Sequence, residues 1–211
     1  MAERPDVGPG GVPGVPATSV DRFVEVHGER EGRARAQAHA RWQAGRRREG
    51  TLHEQVLRTV FPGRGHHQGR PVLAIRPATF ADEALLDQLE QRLADLSDEL
   101  LAVSDRQADG FIAVVVDMDG YAFTPMHLRV ALRCVGTMRD QYPERMGSCA
   151  VLNSGLVWAL VWACVRPLLP ERSARKVEVV AEDPGGHYGR LLYRPSAAAA
   201  AEALSGGGSA V

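Results

Sequence analysis

Gln141-Tyr142-Pro143-Glu144-Arg145-Met146-Gly147, continuing through Ala150-Val151-Leu152-Asn153, is the stretch on which the fold of this chain turns. A residue before proline is pushed out of the α region, so a helix must end at Tyr142. A tight connection through Gly147 then feeds a short apolar strand over 148–152 that stops at the polar Asn153. Next comes a helical segment over 156–165, apolar on nearly all sides and carrying Trp158 and Trp162. Such a helix needs apolar cover on both faces, from a protein core or from a ligand. Arg166-Pro167-Leu168-Leu169 closes it, and Arg175-Lys176-Val177 opens a further short strand over 176–180.

Upstream, residues 111–116 form an unbroken apolar run. It reads as a strand buried on both faces, the mark of a parallel or mixed sheet covered by helices. Asp117-Met118-Asp119-Gly120 ends that strand, and a helix over 125–141 follows. Gly69-Arg70-Pro71 introduces another strand, 72–75, which Pro77 ends. Thr79 is placed to cap the next helix, with Asp82 and Glu83 in its first turn and Leu86, Leu89, Leu93, Leu96 and Leu100 along one face. A short helix is predicted over 51–60, stopped by Pro62 and Gly63. Residues 20–42 read as helical, with Phe23, Val24, Ala34, Ala38 and Trp42 inward. Strands alternating with helices call for an α/β fold, a mixed sheet flanked by helices with an N-terminal helical part. The expected organisation is a disordered Gly/Pro-rich N-terminus over 1–19, helices over 20–62, an α/β lobe over 63–194, and a low-complexity tail over 195–211.

The 211 residues are 45% hydrophobic and 24% charged, which suits one globular domain with ragged ends. A formal net charge of -1 leaves no overall basic field, so no nucleic-acid partner is expected. Arginines do gather between Arg22 and Arg48, at 30, 33, 35, 41, 46 and 47. They form either a solvated helix face or a contact for anionic lipid. Cys134, Cys149 and Cys164 stand apart without a CxxC pair, which points to reduced thiols and a cytoplasmic setting. The longest apolar stretch is too short to span a bilayer.

In order and spacing, these motifs resemble the CRAL-TRIO family of retinaldehyde-, tocopherol- and phosphatidylinositol-transfer proteins. Tyr142 to Arg145 matches its YPER corner, Asn153 its strand-ending asparagine, Trp158 to Leu169 its tryptophan and KPhL helix, and Lys176-Val177 its KI strand. Gly69-Arg70-Pro71-Val72 resembles the family's GRPV, Asp117 to Gly120 its D-x-x-G, and Arg22-Phe23 through Trp42-Gln43 its N-terminal RF…W region. The resemblance covers residues 20–180. It implies an enclosed apolar pocket for one hydrophobic lipid, whether phospholipid, phosphoinositide or isoprenoid. It also implies transient membrane association, a monomer, no cofactor and no catalysis. The family's pattern places Gly155 where a proline is usual. Beyond residue 180 only residues 182–194 stand where a gate helix and an LPxxhGG segment are expected, so the lobe reads as C-terminally shortened.

Eight residues are expected to line or shape the pocket: Val116, Phe123, Leu152, Leu156, Trp158, Leu160, Trp162 and Val165. Phe111, Val114 and Ala150 are assigned to the sheet core, and the Tyr142 to Arg145 corner to structure, with a Glu-Arg surface pair of little weight. Two rival functions remain. The same fold filled by its own side chains would be an interaction module. Alternatively Asp117 as nucleophile and Asp119 as general acid, with Mg²⁺, would make a haloacid-dehalogenase-type phosphatase, although an Asp-x-Asp-Gly turn is the commoner reading. His66-His67 suggests a metal only weakly, and a solvated loop is the plainer account.

Overall fold

The computed structural model describes residues 12, 13, 15–46, 51–183 and 186–192. Two helices, α1 (Ala17–His27) and α2 (Glu29–Gly45), replace the single helical run expected over 20–42. Gly28 separates them at φ +79, a conformation that glycine adopts without the strain a side chain brings. Gly32 then lets α2 cross α1 closely, since a Cβ there would lie 2.5 Å from the Phe23 carbonyl oxygen and the Val24 Cα. The break resets the helical phase, so α2 buries Gly32, Ala36 and His39, while Ala34 and Ala38 face solvent. The disorder expected over 1–19 is corrected at its end, because 17–19 are helical and Val12 packs with Val20, Phe23 and Ala36. Residues 1–11 and 14, like the 195–211 tail, lie outside the described residues.

A one-and-a-half-turn helix, α3 (Glu54–Thr59), passes directly into β1 (Val60–His67). The short helix expected over 51–60 is thus present, but a strand ends it, and Pro62, Gly63 and the boundary proposed at 62/63 fall inside β1. β1 pairs antiparallel with β2 (Arg70–Ile75), with a bulge between Pro62 and His66. It is an edge strand, where a proline's missing N–H is harmless. After two 3-10 turns come α4 (Leu86–Gln107), β3 (Ile112–Asp117), α5 (Pro125–Gln141), β4 (Met146–Leu152), α6 (Val157–Val165), α7 (Glu171–Ala174), β5 (Val177–Val180) and α8 (His187–Leu192). Thr79 does not cap α4. Its hydroxyl donates to the Arg76 carbonyl, and Asp82 caps the turn before α4 by accepting from the Ala84 N–H.

The five strands lie in chain order, β1-β2-β3-β4-β5, and every neighbouring pair after the first is parallel. This is a mixed sheet in an α/β fold, as the alternation of elements predicts. The crossovers between successive parallel strands carry α4, α5 and α6 to one face. There Leu73, Ile75, Val114 and Val151 meet Leu89 and Leu93 of α4, Val130 and Cys134 of α5, and Val161 and Val165 of α6. The other face, with Phe61, Val72, Ala74, Ala113, Val115 and Leu152, is met by Leu191 and Leu192 of α8.

Candidate functional site: an apolar cavity between sheet and helices

Alternation along a strand sends every second side chain to the same face, and here that face is the floor of a cavity of about 170 Å³. Leu73 and Ile75 of β2, Val114 and Val116 of β3, and Cys149 and Val151 of β4 form the floor. Val130, Cys134 and Met138 of α5 make one wall. α6 closes the cavity with Trp158, Val161, Trp162 and Val165, and the rings of Trp158 and Trp162 stack at 5.4 Å between centroids. Burial pushes the Cys134 and Cys149 thiols up to about 12, so both stay protonated and serve as small apolar wall groups.

Of the eight residues expected around the pocket, the structure brings Val116, Trp158, Trp162 and Val165 to the cavity wall. The other four are placed elsewhere. Leu152 points to the opposite face of the sheet, into the cluster with Leu191, because it is odd-stepped from Val151. Leu156 and Leu160 lie on the outward side of α6, 96% and 54% exposed, and Phe123 sits in the β3–α5 loop, 43% exposed. Val114, assigned to the sheet core, shares the face of Val116 and lines the cavity. Cys134 and Met138 also join the wall, at an i, i+4 spacing that the sequence carries, and so does Val161, on a helix whose all-round apolar character carries no such signal.

The cavity runs along the strands and differs at its two ends. Beyond the amino-terminal ends of β4 and β5 it is bordered by His27 of α1, Arg139, Glu144 and Ser173. Burial, with Arg35 nearby, lowers the pKa of His27. At the carboxyl-terminal end stand Pro77, Met118 and Tyr121. Tyr121 is 9% exposed, its ring lies 5.0 Å from that of His127, and its hydroxyl is buried without a hydrogen-bond partner among the described residues.

The Tyr142 to Arg145 corner is far from a surface pair, which corrects the expectation of little weight. The Arg145 side chain, 4% exposed, donates to both oxygens of Asp105 at 2.8 and 3.1 Å and to the Gly110 carbonyl at 2.8 Å. Through Nη2 it also reaches the hydroxyls of Thr18 and Ser19 on α1. Glu144, held at φ +53, accepts from Lys176 at 2.9 Å and from the Ser173 hydroxyl. The Tyr142 ring lines the cavity while its hydroxyl donates to Asp98 at 2.8 Å. Arg46, the residue that caps the C-terminus of α2, binds Asp95 and Asp98 from the other side. His39, buried against Phe23, Trp42 and Tyr142, pairs with Gln141 at 3.0 Å. The N-terminal helices are thus clamped to the lobe along the corner that opens β4.

The arginines of α2 divide accordingly. Arg33 and Arg35 pair with Glu29 and Glu31 one turn earlier on a solvated face, whereas Arg46 is buried in the clamp. Arg47 and Arg48 lie outside the described residues.

Asp117 closes β3 as a structural clamp. One oxygen accepts from Arg76 Nε at 2.9 Å and the other from Asn153 Nδ2 at 2.8 Å and from the Asp119 N–H. Asp119 is exposed on the turn. Both oxygens of Asp117 thus hold the end of β3 to Arg76 and Asn153, while Asp119 faces solvent. His66 and His67 lie on β1 rather than in a loop. His67 Nδ1 stands 2.9 Å from His187 Nε2 of α8, and no group of three or more metal-ligating side chains occurs among the described residues. No described helix is long and apolar enough to cross a membrane.

Comparison with known proteins bears on the same region. The chain is 25% identical over 138 residues to "Protein real-time" of Anopheles gambiae and equally to that of Aedes aegypti, matches that take in 57% of this chain. It spans about a fifth of the length of those curated relatives, 20% and 21%. The crystal structure of Sfh5 superposes with a TM-score of 0.57 at 11% identity, over 76% of this chain and 62% of that one, which is a likeness of fold. The CRAL/TRIO domain model matches residues 56–185, which takes in the cavity floor, α6 and the corner before β4, and the chain therefore belongs to the CRAL/TRIO domain family.

Proposed function

We propose that this protein encloses one hydrophobic lipid in the cavity between its sheet and α6 and exchanges it at a membrane surface, without catalysing a reaction. The observation that carries this reading is the cavity itself, walled almost wholly by aliphatic and aromatic side chains. A cavity of roughly 150 Å³ takes a benzene-sized guest, so this one has room for about six methylene-sized groups. At about 0.8 kcal/mol per buried CH₂, these contribute about 5 kcal/mol before the cost of association. A cavity of this composition favours a ligand over the pocketless interaction module, in which Trp158 and Trp162 would fill the space.

Membrane contact is supported by the outer side of α6. No charged residue occurs from Ser154 to Val165, and Leu156 and Leu160 stand out toward solvent on the helix that roofs the cavity. An apolar helix side of this kind suits insertion at the boundary between headgroups and acyl chains.

Native mass spectrometry of the full chain, followed by organic extraction, tests the reading. A stoichiometric lipid adduct is expected, and Val114→Phe, which fills the floor, should abolish it while leaving the melting temperature near that of the parent protein. Leu160→Asp should spare the adduct and weaken co-sedimentation with phosphatidylcholine vesicles. A bare mass under gentle conditions, unchanged after incubation with mixed liposomes, refutes lipid binding and leaves the interaction module.

A further inference from the structure

We infer that His67 and His187 form an acid-sensitive latch, which holds α8 over the rear face of the sheet at neutral pH and releases it when both rings are protonated. This inference concerns the face opposite the cavity and does not rest on what the cavity holds. The two rings lie 5.2 Å apart between centroids, with His67 Nδ1 2.9 Å from His187 Nε2. Across such a contact one nitrogen donates and the other accepts, so the pair holds only while at least one ring is neutral. With both rings protonated, two N–H groups and two positive charges face each other. α8 has six residues, too few to persist in water without tertiary contacts. At its C-terminal end Leu191 and Leu192 pack with Phe61, Val72 and Val115, and the Leu192 carbonyl accepts from Arg76 at 3.5 Å. Gly63 of β1 gives this end a flat seat, since a Cβ there would lie 3.2 Å from the Leu191 carbonyl oxygen. At the N-terminal end His67 ties the helix to β1, through the bond to His187 and through its ring, 5.3 Å from that of Tyr188.

The charges around the pair set the direction of the response. Burial lowers the pKa of His67, His187 and Arg70 of β2 lower it further, and Glu178 of β5 opposes them. Asp183, held below the usual carboxylate range chiefly by the Gly189 N–H, stays ionised beside His187. Burial pushes the Tyr188 phenol up, so it stays neutral. Arg64 and His66 on β1 and Arg190 on α8 are further titratable neighbours along the two elements. Once α8 is released, His67 titrates at its ordinary 6.5, so the released form takes up a proton that the docked form resists. Docking is therefore firm above pH 6.5 and is lost as the pH falls from 6.5 through the lower docked value.

Amide hydrogen exchange of the full chain, read by mass spectrometry over 186–192 and corrected for the chemical exchange rate at each pH, tests the latch. Uptake of one extra proton on release makes the opening equilibrium about tenfold larger at pH 5.5 than at pH 7.5. The double variant His67→Gln with His187→Gln keeps a hydrogen bond between neutral amides at every pH, so its α8 should open to the same extent at both, whatever its stability. Peptides from β3 and α5 should keep their protection in the parent protein over this interval. A parent α8 whose opening is unchanged between the two pH values overturns the inference. So does a tenfold rise that survives in the double variant, or one that β3 and α5 share, which would mark global unfolding.

Discussion

Replacing Arg145 by alanine should destabilise the protein more than any exposed ion pair could. Arg145 is 4% exposed, and its guanidinium makes two charge-assisted bonds to Asp105 and one to the Gly110 carbonyl. Removing one partner of a buried pair costs about 3–5 kcal/mol, mostly through the charge and carbonyl left behind. Asp105 is 25% exposed and regains part of its hydration, which places the loss at the lower end, about 3 kcal/mol. At roughly 2–4 °C per kcal/mol for a chain of this size, the melting temperature should fall by about 6–12 °C. The thermal melt should be accompanied by proteolytic release of α1, since Thr18 and Ser19 lose their anchor on the lobe. Arg145→Lys keeps a charge but loses the two-pronged geometry, and about half of the loss is expected. A fall below about 2 °C for Arg145→Ala, or a double-mutant cycle with Asp105→Ala showing no coupling, would refute the reasoning.

Two further outcomes follow from the same interface. Gly32→Ala would place a methyl 2.5 Å from backbone atoms of α1, so the helices must separate at a cost of about 1–3 kcal/mol, readable as a lower urea midpoint and faster cleavage ahead of α3. Burial lowers the pKa of His39 below the usual 6.5, offset in part by its bond to Gln141. The unfolded chain therefore takes up a proton as pH falls through about 6.5 while the folded chain resists, so stability is lost on acidification. His27 and His67 shift in the same direction, also chiefly through burial, so His39→Gln should reduce, and not remove, the difference between urea midpoints at pH 7.5 and pH 5.5.

What the sequence disclosed and what it withheld divide along physical lines. α5 was legible over its full span because Thr124-Pro125 opens it and Tyr142-Pro143 ends it, both local rules. β3 was legible because only a doubly covered strand tolerates six apolar residues in a row. β1 was not, since Pro62, Gly63 and Gly65 speak against a strand locally and only pairing with β2 makes one. The break at Gly28 did carry a signal, a glycine followed by Glu29 and Glu31 at a helix start, but the apolar pattern on either side masked it.

At the site, β3 and β4 obey a period of two, so Val114 with Val116, and Val151 in place of Leu152, could have been read from parity alone. α6 could not. A helix apolar on every side gives no indication of which face turns inward, and this is why Leu160 was exchanged for Val161. The weight of the Glu144-Arg145 corner was also hidden, because burial of an ion pair depends on Asp105, Lys176 and α1, which are distant in sequence.

The strand order, identical to the chain order, has a consequence for how the molecule comes into being. As synthesis proceeds, each new parallel strand meets an edge already in place, so the sheet can grow from β2 to β5 without any strand waiting for a later one to be inserted beside it. α1 and α2, which precede the sheet, have no such option. Asp98 of α4 can take Gln43 and Arg46 early, but Gln141, Tyr142, Arg145 and Arg172 are added only as α5 ends or later, so these two helices complete their docking only after most of the lobe they rest on has been made.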